Sequence, residues 1–488
     1  SKYPSNGCQG LLSDASTSIV GWSMQYTYTY SDGSSYQSVC MNNDGNYEVE
    51  ADYSDPSTPV ACTSGSSCGF SQAYPELWMG WAVESGATNG GVYAYGIAYD
   101  ENTSSSVYVV GGTNTALASD LTQAGDVDYF IAKYDANTHA QLWVRQVGAS
   151  GGHTSGQGIK IDASGNIYLT GYTDVAISGQ TLQGSQDYFI AKYDTDGNLL
   201  WTREVGASSG TTEGNSISTS LDSDVYITGD TNVGISGQTL QGSTDYFIAK
   251  YDVNGNLIWT REVGASGGTT IGSGITVDST FDKNVYITGR TNRGISGQTL
   301  SGDTDSFVTK YTSDGDWVNT IQFGAPGGTS RGISIVANSL CNCLYVTGST
   351  DTAIFGSQNG RVDYFLAKYD YSLSFAWGTQ VGASGGYSVG TGVSADTMGN
   401  GYIAGYTTVG ISGQTQIGDE NYFIAKYNSD GVLQWGYQAG GKDGTTNAYG
   451  IATSPLGGSY ITGISNVGVM GQSLIGNYDY FVVSYVDQ

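Results

Sequence analysis

The sequence predicts an all-β protein whose main domain is a seven-bladed β-propeller of four-stranded blades. An aromatic strand such as DYFIAKYD recurs along the chain, and nearly every copy is followed by turn-forming residues and a strand carrying tryptophan. Copies of a unit at a nearly fixed period of 58 to 60 residues are typical of a repeat architecture. The first residue of the recurring strand is Asp128, Asp187, Asp245, Asp305, Asp363, Asn421 and Asp479.

Each repeat is predicted to hold four short antiparallel strands, A to D. In the second repeat these are residues 157–162, 166–170, 187–193 and 199–205. Ala163-Ser164-Gly165 separates the first two and Asp194-Thr195-Asp196-Gly197-Asn198 the last two, and both runs are rich in turn formers. Four antiparallel strands in a unit of this length are typical of a propeller blade.

The two ends of the propeller are expected to share one blade. The last copy of strand C begins at Asp479 and no strand D follows it, whereas residues 77–84 carry a strand D without a strand C before it. Trp81 lies five residues before Gly86, as Trp201 lies five before Gly206. We therefore expect residues 77–84 to complete the seventh blade, which removes an exposed strand edge from the ring.

The pattern DYFIAKYD, turn, GNLLW, Gly/Ser loop, GNIYLTG resembles the SBBP repeat, a β-propeller repeat of secreted and cell-surface proteins. The resemblance covers residues 77–488. It implies a seven-bladed propeller in an extracellular or cell-surface setting, and it implies no shared catalytic chemistry.

Residues 1–76 fall outside the repeats and are expected to form a small β module with a linker. Residues 23–30 and 46–53 alternate polar and apolar side chains, as half-buried strands do. The even number of cysteines predicts disulfides in an oxidising compartment, with the pairing left open. The six candidates are Cys8, Cys40, Cys62, Cys68, Cys341 and Cys343. Cys341 and Cys343 lie at a hairpin tip, where they either close on each other or stay reduced.

The formal net charge of −27 makes nucleic-acid binding an unfavourable hypothesis, because such a chain repels phosphate backbones. No apolar run approaches the roughly 18 residues needed to span a bilayer as a helix. The sequence starts at Ser1, and we expect a mature, secreted form located outside the cell or on its surface.

The C–D turns carry oxygen-bearing side chains at alternate positions, and calcium is the one cofactor that this pattern suggests. Calcium binds several oxygen ligands, which such turns offer. The alternative is that Asp, Asn and Gly are present for the turn conformation alone. The candidate ligands are Asp194, Asp196, Asn198, Asp252, Asn254 and Asn256.

Two other features recur in the blades. A lysine occupies one position of strand C in six copies, and we expect its stem to follow an aromatic neighbour and its ammonium group to meet a carboxylate. The long B–C connection, such as residues 177–184, is nearly the same in several blades. It has either a structural role or one ligand contact per blade.

No catalytic set is visible, because the two histidines, His139 and His153, lack a nucleophile in a recognised setting, and we expect no enzyme activity. Asn102 begins a glycosylation sequon. The favoured function is a structural protein that self-associates into a filament, sheath or surface appendage, its N-terminal module docking on a neighbouring subunit. The alternatives are a carbohydrate-binding or adhesive propeller, and a propeller enzyme acting on polysaccharide.

Overall fold

The structure is a computed structural model that describes residues 78–100, 105–455 and 457–486, together with the backbone of two strands at 24–29 and 35–40. The chain forms two compact units, Ser1–Ala73 and Tyr74–Gln488. In the first unit, β1 (Met24–Thr29) pairs antiparallel with β2 (Ser35–Cys40). The strand expected at 46–53, the side chains of the four N-terminal cysteines and the sequon at Asn102 lie outside the described residues.

The second unit consists of seven four-stranded antiparallel sheets, as predicted. Strand β3 is Trp78–Ser85. Blade 1 contains β4 (Val92–Asp100), β5 (Ser106–Thr113), β6 (Asp128–Asp135) and β7 (Gln141–Val147). Blade 2 contains β8 (Thr154–Ile161), β9 (Ile167–Thr173), β10 (Asp187–Tyr193) and β11 (Leu199–Val205). Blade 3 contains β12 (Thr212–Thr219), β13 (Val225–Thr231), β14 (Asp245–Tyr251) and β15 (Leu257–Val263). Blade 4 contains β16 (Thr270–Val277), β17 (Val285–Thr291), β18 (Asp305–Tyr311) and β19 (Trp317–Phe323).

The remaining blades follow the same order. Blade 5 contains β20 (Ser330–Asn338), β21 (Cys343–Thr350), β22 (Asp363–Asp370) and β23 (Phe375–Val381). Blade 6 contains β24 (Ser388–Ala395), β25 (Gly401–Thr407), β26 (Asn421–Tyr427) and β27 (Leu433–Ala439). Blade 7 contains β28 (Thr446–Thr453), β29 (Ser459–Ser465) and β30 (Asp479–Val486), with β3 as its fourth strand.

The blades close into a ring around a central channel. The first strand of each blade contacts the first strands of both neighbours, including β28 with β4. Strand A is therefore innermost and strand D outermost in every blade. The predicted closure is confirmed, because β3 pairs antiparallel with β30 and Trp81 lies opposite Ser484. The N–H of Trp81 donates a 3.1 Å hydrogen bond to Oγ of Ser484.

Buried tyrosines join neighbouring blades through their hydroxyl groups. Tyr188 of blade 2 lies 2.6 Å from Tyr251 of blade 3, oxygen to oxygen, and its ring stacks on Phe247. A buried hydroxyl needs a hydrogen-bond partner, so each tyrosine satisfies the other. The equivalent hydroxyl pairs are Tyr129–Tyr193, Tyr246–Tyr311, Tyr364–Tyr427, Tyr422–Tyr485 and Tyr480–Tyr134.

Candidate functional site

Strand C is nearly the same in every blade, and its first carboxylate holds the B–C loop. In blade 2, Asp187 is fully buried and accepts hydrogen bonds from the N–H groups of Gln183 and Gly184, at 2.6 and 2.7 Å. Ile177 at the start of the same loop is buried and donates its N–H to Glu204. These contacts give the repeated B–C loop a structural role, which was one of the two predicted alternatives.

The blades differ from one another at the mouth of the channel. The second residue of strand A and the penultimate residue of strand B pair with each other, so they occupy the same level in every blade. The pairs are Tyr93–Gly112, Ser155–Tyr172, Glu213–Asp230, Ile271–Arg290, Arg331–Ser349, Val389–Tyr406 and Asn447–Ile464. A single binding site on a ring of similar blades requires positions at which the blades differ. The residue types at this level differ from blade to blade.

Below this level a bulge in each strand A lines a cavity of about 320 Å³. In blade 4 the ladder skips Ser273, between Gly272 and Gly274. A Cβ on Gly274 would lie 3.0 Å from the carbonyl oxygen of Ile333 in the next blade, so glycine permits the close approach of the inner strands. The bulged residues that line the cavity are Tyr95, Gln157, Asn215, Ser273, Ile333, Thr391 and Tyr449.

Charged side chains from three adjacent blades meet at the mouth. Asn215 lines the cavity and donates a 2.9 Å hydrogen bond to Oδ1 of Asp230. Burial raises the pKa of Asp230 to about 6, and Glu213 adds to this effect. Burial also lowers the pKa of Arg290, as does the positive charge of Arg331 in the next blade. The two arginines lie at the same level of adjacent blades, where their like charges repel each other.

Tyrosines form the other side of the mouth. The rings of Tyr95 and Tyr449 lie 5.6 Å apart, centroid to centroid, and Tyr406 meets Tyr449 edge-on at 6.4 Å. Burial is the main cause of the raised pKa of Tyr406, while the positive charge of Arg331 opposes that rise. Tyr172 is a further tyrosine at this level. Burial is the main cause of its raised pKa, and the negative charge of Glu213 is the second. Aromatic, cationic and acidic groups thus surround one opening.

The opposite end of the channel has a larger cavity, of about 580 Å³, but its aspartates hold turns. Asp162 accepts hydrogen bonds from the N–H groups of Ser164 and Asn166, both at 2.9 Å. Asp396 is held in the same way by Met398 and Asn400. Because these carboxylates have the same role in different blades, this end is a weaker candidate for a site.

The predicted calcium ligands lie in turns whose carboxylates are already hydrogen-bonded. Oδ1 of Asp252 accepts the N–H groups of Asn254 and Asn256 at 2.9 and 2.8 Å, and Oδ2 accepts the side-chain amide of Asn256. The backbone hydrogen bond from Asn256 is the main cause of the lowered pKa of Asp252. Asp194 has the same contacts with Asp196 and Asn198.

These hydrogen bonds support the turn alternative over calcium, which remains a prediction. Within the described ranges, no group of three or more His, Cys, Asp or Glu residues has an arrangement suited to a metal ion.

Each of these turns also accepts hydrogen bonds from side chains of the preceding blade. Nζ of Lys192 and Nε1 of Trp201 both donate to the carbonyl of Val253, each at 3.2 Å. Nε of Arg203 donates to the carbonyl of Gly255 at 2.8 Å. Blade 2 thereby holds the C–D turn of blade 3. The repeated Lys and Trp residues therefore join neighbouring blades of the ring.

The expected surroundings of the repeated lysines need a partial correction. Each ammonium group does lie over a tyrosine ring of strand B, as Lys192 does 5.1 Å from the centroid of Tyr168. The expected carboxylate is found for Lys250, 2.9 Å from Asp224. The more general partner is a backbone carbonyl of the next blade, which accepts from Lys133, Lys192, Lys250, Lys310 and Lys368. Its position depends on blade packing, so the repeat pattern did not reveal it.

Cys341 and Cys343 form a disulfide with each other at the hairpin tip of blade 5. Within the described part of the chain, no helix is long and apolar enough to cross a membrane.

Comparison with known proteins agrees with this architecture. The SBBP model, described as a beta-propeller repeat, matches residues 142–177, 200–235 and 258–295. These three stretches are SBBP β-propeller repeats. Each match starts in strand D of one blade and extends through strands A and B of the next. SBBP repeats in this chain therefore cross the blade boundary.

A curated protein with a similar sequence is the regulatory protein FlaEY of Caulobacter vibrioides, 23% identical over 373 residues. The alignment covers 66% of this chain and 37% of that protein, so the chain spans little more than a third of its relative.

Two similar solved structures share about a tenth of their residues with this chain. An ulvan lyase of polysaccharide lyase family PL25 has a TM-score of 0.46 at 10% identity, covering 78% of this chain and 93% of its own. Quinohemoprotein alcohol dehydrogenase from Comamonas testosteroni has a TM-score of 0.42 at 9% identity. The match covers 83% of this chain and 76% of the dehydrogenase.

The residues at the channel mouth were not identified from the repeat pattern. Asp230, Arg290 and Arg331 lie in three different blades, and only the pairing register brings them to one level. The sequence does show that Asp230, Arg290 and Arg331 differ from the residues at the equivalent positions of the other repeats. Alignment of the seven copies by strand would have revealed it.

Proposed function

We propose that this protein is an extracellular structural protein that associates with copies of itself to form a filament, sheath or surface appendage. The observation that carries the proposal is a belt of exposed apolar side chains, the rim belt, at the start of the outer strands. Leu200 is 49% exposed and Ile258 51% exposed in corresponding positions of blades 2 and 3. The rim belt consists of Leu142, Leu199, Leu200, Leu257, Ile258, Trp317, Val318 and Phe375.

The rim belt lies on strands that have a free edge. Strand D is the last strand of every sheet, so one row of its backbone groups has no partner within its own blade. Exposed apolar edge strands are templates for pairing with another chain, and proteins usually protect them with charge or proline. The rim belt itself is uncharged, and the arginines of these strands, such as Arg203, lie farther along and donate to the next blade.

The proposed occupant is the N-terminal unit of a second copy. The chain enters the propeller at Trp78, the first residue of β3, which is itself an outer strand. The two strands described in the N-terminal unit pair into a two-stranded sheet, and a hairpin of this kind is marginally stable by itself. Adding a strand from this unit to an outer edge follows a known mode of recognition. A head-to-tail contact of this kind propagates instead of closing.

The extracellular part of the proposal is supported by composition and by one covalent bond. A formal net charge of −27 favours solubility, and the Cys341–Cys343 disulfide suits an oxidising compartment.

Four substitutions in the full chain test the rim belt: Leu142→Asp, Leu200→Asp, Ile258→Asp and Val318→Asp together. We expect assemblies seen by sedimentation velocity to become single subunits, while the melting temperature stays near that of the wild type, because these side chains are exposed. The matched control carries Leu221→Asp, Phe281→Asp, Leu340→Asp and Met398→Asp, exposed apolar residues of the A–B turns. If the control dissociates the assemblies and the rim variant does not, the interface is not the rim belt.

A second candidate function is saccharide binding at the channel mouth. The tyrosines around the 320 Å³ cavity favour it, because aromatic faces are good surfaces for sugar rings and the volume suits a small ligand. The geometry offers one such site per ring. A glycan array tests this candidate, and uniform absence of binding would contradict it.

A further inference from the structure

The mouth of the channel contains two cations that the rest of the fold does not use. Among the described residues, the guanidinium groups of Arg290 and Arg331 form neither a hydrogen bond nor an ion pair. By contrast, the arginines of the outer strands hold the next blade, as Arg203 does at Gly255. In a chain with 17 lysines and arginines against 44 acidic residues, two adjacent arginines without a hydrogen bond or an ion pair are an unusual use of positive charge.

This arrangement suits an anion placed between the two arginines. Arg290 belongs to strand B of blade 4 and Arg331 to strand A of blade 5, and their charges repel each other. A carboxylate between them would remove that repulsion and accept hydrogen bonds from both planar groups, which match its shape. Asp230 lies at the same level in blade 3, so Arg290 is between Asp230 and Arg331 in the order of the blades. There it would contribute to the orientation of a bound ligand.

The remaining lining of the mouth suits a sugar ring. Tyr406 lies at the same level as Arg331, in the adjacent blade 6. Its ring contacts that of Tyr449, which in turn meets Tyr95, so a wall of aromatic rings begins next to the two arginines. On the acidic side, Asp230 and Glu213 offer acceptors for hydroxyl groups. A ligand with an anionic group, a ring and several hydroxyls would meet all three kinds of surface.

The overall charge of the protein restricts the ligand further. A net charge of −27 repels polymers of high negative charge density at long range, which disfavours nucleic acids and heavily sulfated chains. A sugar with one carboxylate per ring has a lower charge density. We propose that the channel mouth beside Arg290 and Arg331 binds a saccharide containing uronic acid. This inference goes beyond the structural role and rests on the second candidate function.

The test is isothermal titration of the full chain with an oligogalacturonate, a matched neutral cello-oligosaccharide, a heparin oligosaccharide and a short polyglutamate peptide. We expect binding of the oligogalacturonate, at least about tenfold weaker in Arg331→Gln and in Arg290→Gln, because a hydrogen bond between charged groups is lost. Arg293→Gln is the control, since Arg293 is a loop arginine of blade 4 whose Nη1 donates to the carbonyl of Asn292. It should bind as the wild type does, and thermal melting checks that all variants fold.

Each ligand distinguishes one part of the proposal. Binding of the neutral oligosaccharide alone would overturn the uronate inference and leave the second candidate function standing. If polyglutamate binds as tightly as the oligogalacturonate, the inference that the ligand is a saccharide is wrong. If heparin binds more tightly, the inference that the arginines bind a carboxylate is wrong, and sulfate is the preferred group. If none of the saccharides binds, both the inference and the second candidate function are wrong. Oligogalacturonate binding that is the same in both arginine variants would place the site elsewhere and contradict the inference.

Discussion

Nε2 of Gln380 donates a 3.0 Å hydrogen bond to Oδ2 of Asp363, while Oε1 of the same side chain accepts the N–H of Ile354. Blades 2, 3 and 7 have a glutamate at the position of this glutamine. There Glu204 accepts the N–H of Ile177 through Oε2, and its buried Oε1 has no partner. A proton on Oε1 would restore the missing donor towards Asp187, whose charge contributes to the raised pKa of Glu204. We therefore expect a carboxyl–carboxylate pair that shares one proton in each of these three blades.

The first prediction is a stability that falls as pH rises. Burial raises the pKa of Glu84, Glu204 and Glu262 to about 7 each, against an ordinary value of 4.5. Below pH 4.5 both the folded and the unfolded chain are protonated at these groups. Between 4.5 and 7 only the folded chain keeps the proton, so stability is lost across this window by about 1–3 kcal/mol per glutamate.

Glutamine substitution isolates this effect from other titrating groups. Glu204→Gln should raise the free energy of unfolding at pH 8 and leave it nearly unchanged at pH 4, as measured by denaturant titration. The reciprocal variant Gln380→Glu should introduce the same pH dependence into blade 5. A difference between Glu204→Gln and the wild type that does not vary with pH would contradict the shared proton.

The second prediction concerns the tyrosine pairs between blades. Tyr188→Phe or Tyr251→Phe alone leaves one buried hydroxyl without its partner, which should cost about 1–2 kcal/mol. The double variant should cost less than the sum of the two, with a coupling of about 1 kcal/mol in a double-mutant cycle of unfolding free energies. Strictly additive costs would show that the 2.6 Å contact contributes nothing specific to stability.

The third prediction concerns Gly255, which packs closely against Trp201 of the preceding blade. Gly255 has φ of 77°, and a Cβ there would lie 3.0 Å from Cδ2 of Trp201. Gly237 has φ of 79° with open space around it, so it serves as a control for backbone strain alone. We expect Gly255→Ala to lower the free energy of unfolding by at least about 1 kcal/mol more than Gly237→Ala does. Equal costs would mean that the tryptophan moves aside freely.

The fourth prediction separates the two explanations of the C–D turns. If Asp194 and Asp252 serve the turns, the melting temperature should be the same with added calcium and with excess chelator. Asp252→Ala should nevertheless destabilise the protein by about 1 kcal/mol or more, since the N–H groups of Asn254 and Asn256 lose their acceptor. A fall in melting temperature on chelation would support the calcium site instead.

The number of blades and the closing strand could be predicted because both depend on local patterns. Strand alternation, turn formers and the Trp slot repeat along the chain, and the unpaired halves at 77–84 and 479–486 complement each other. The lysine partners could not be predicted, because Lys192 meets a carbonyl 61 residues away in the next blade. The same holds for Arg290 and Arg331, which become neighbours only through the ring.

The most direct test of the central claim is electron microscopy of the purified full chain beside a chain that lacks residues 1–73. Self-association through the N-terminal unit predicts filaments or sheets of linked rings for the full chain and separate single rings for the shortened one. Single rings in both preparations, or the same assemblies in both, would contradict it.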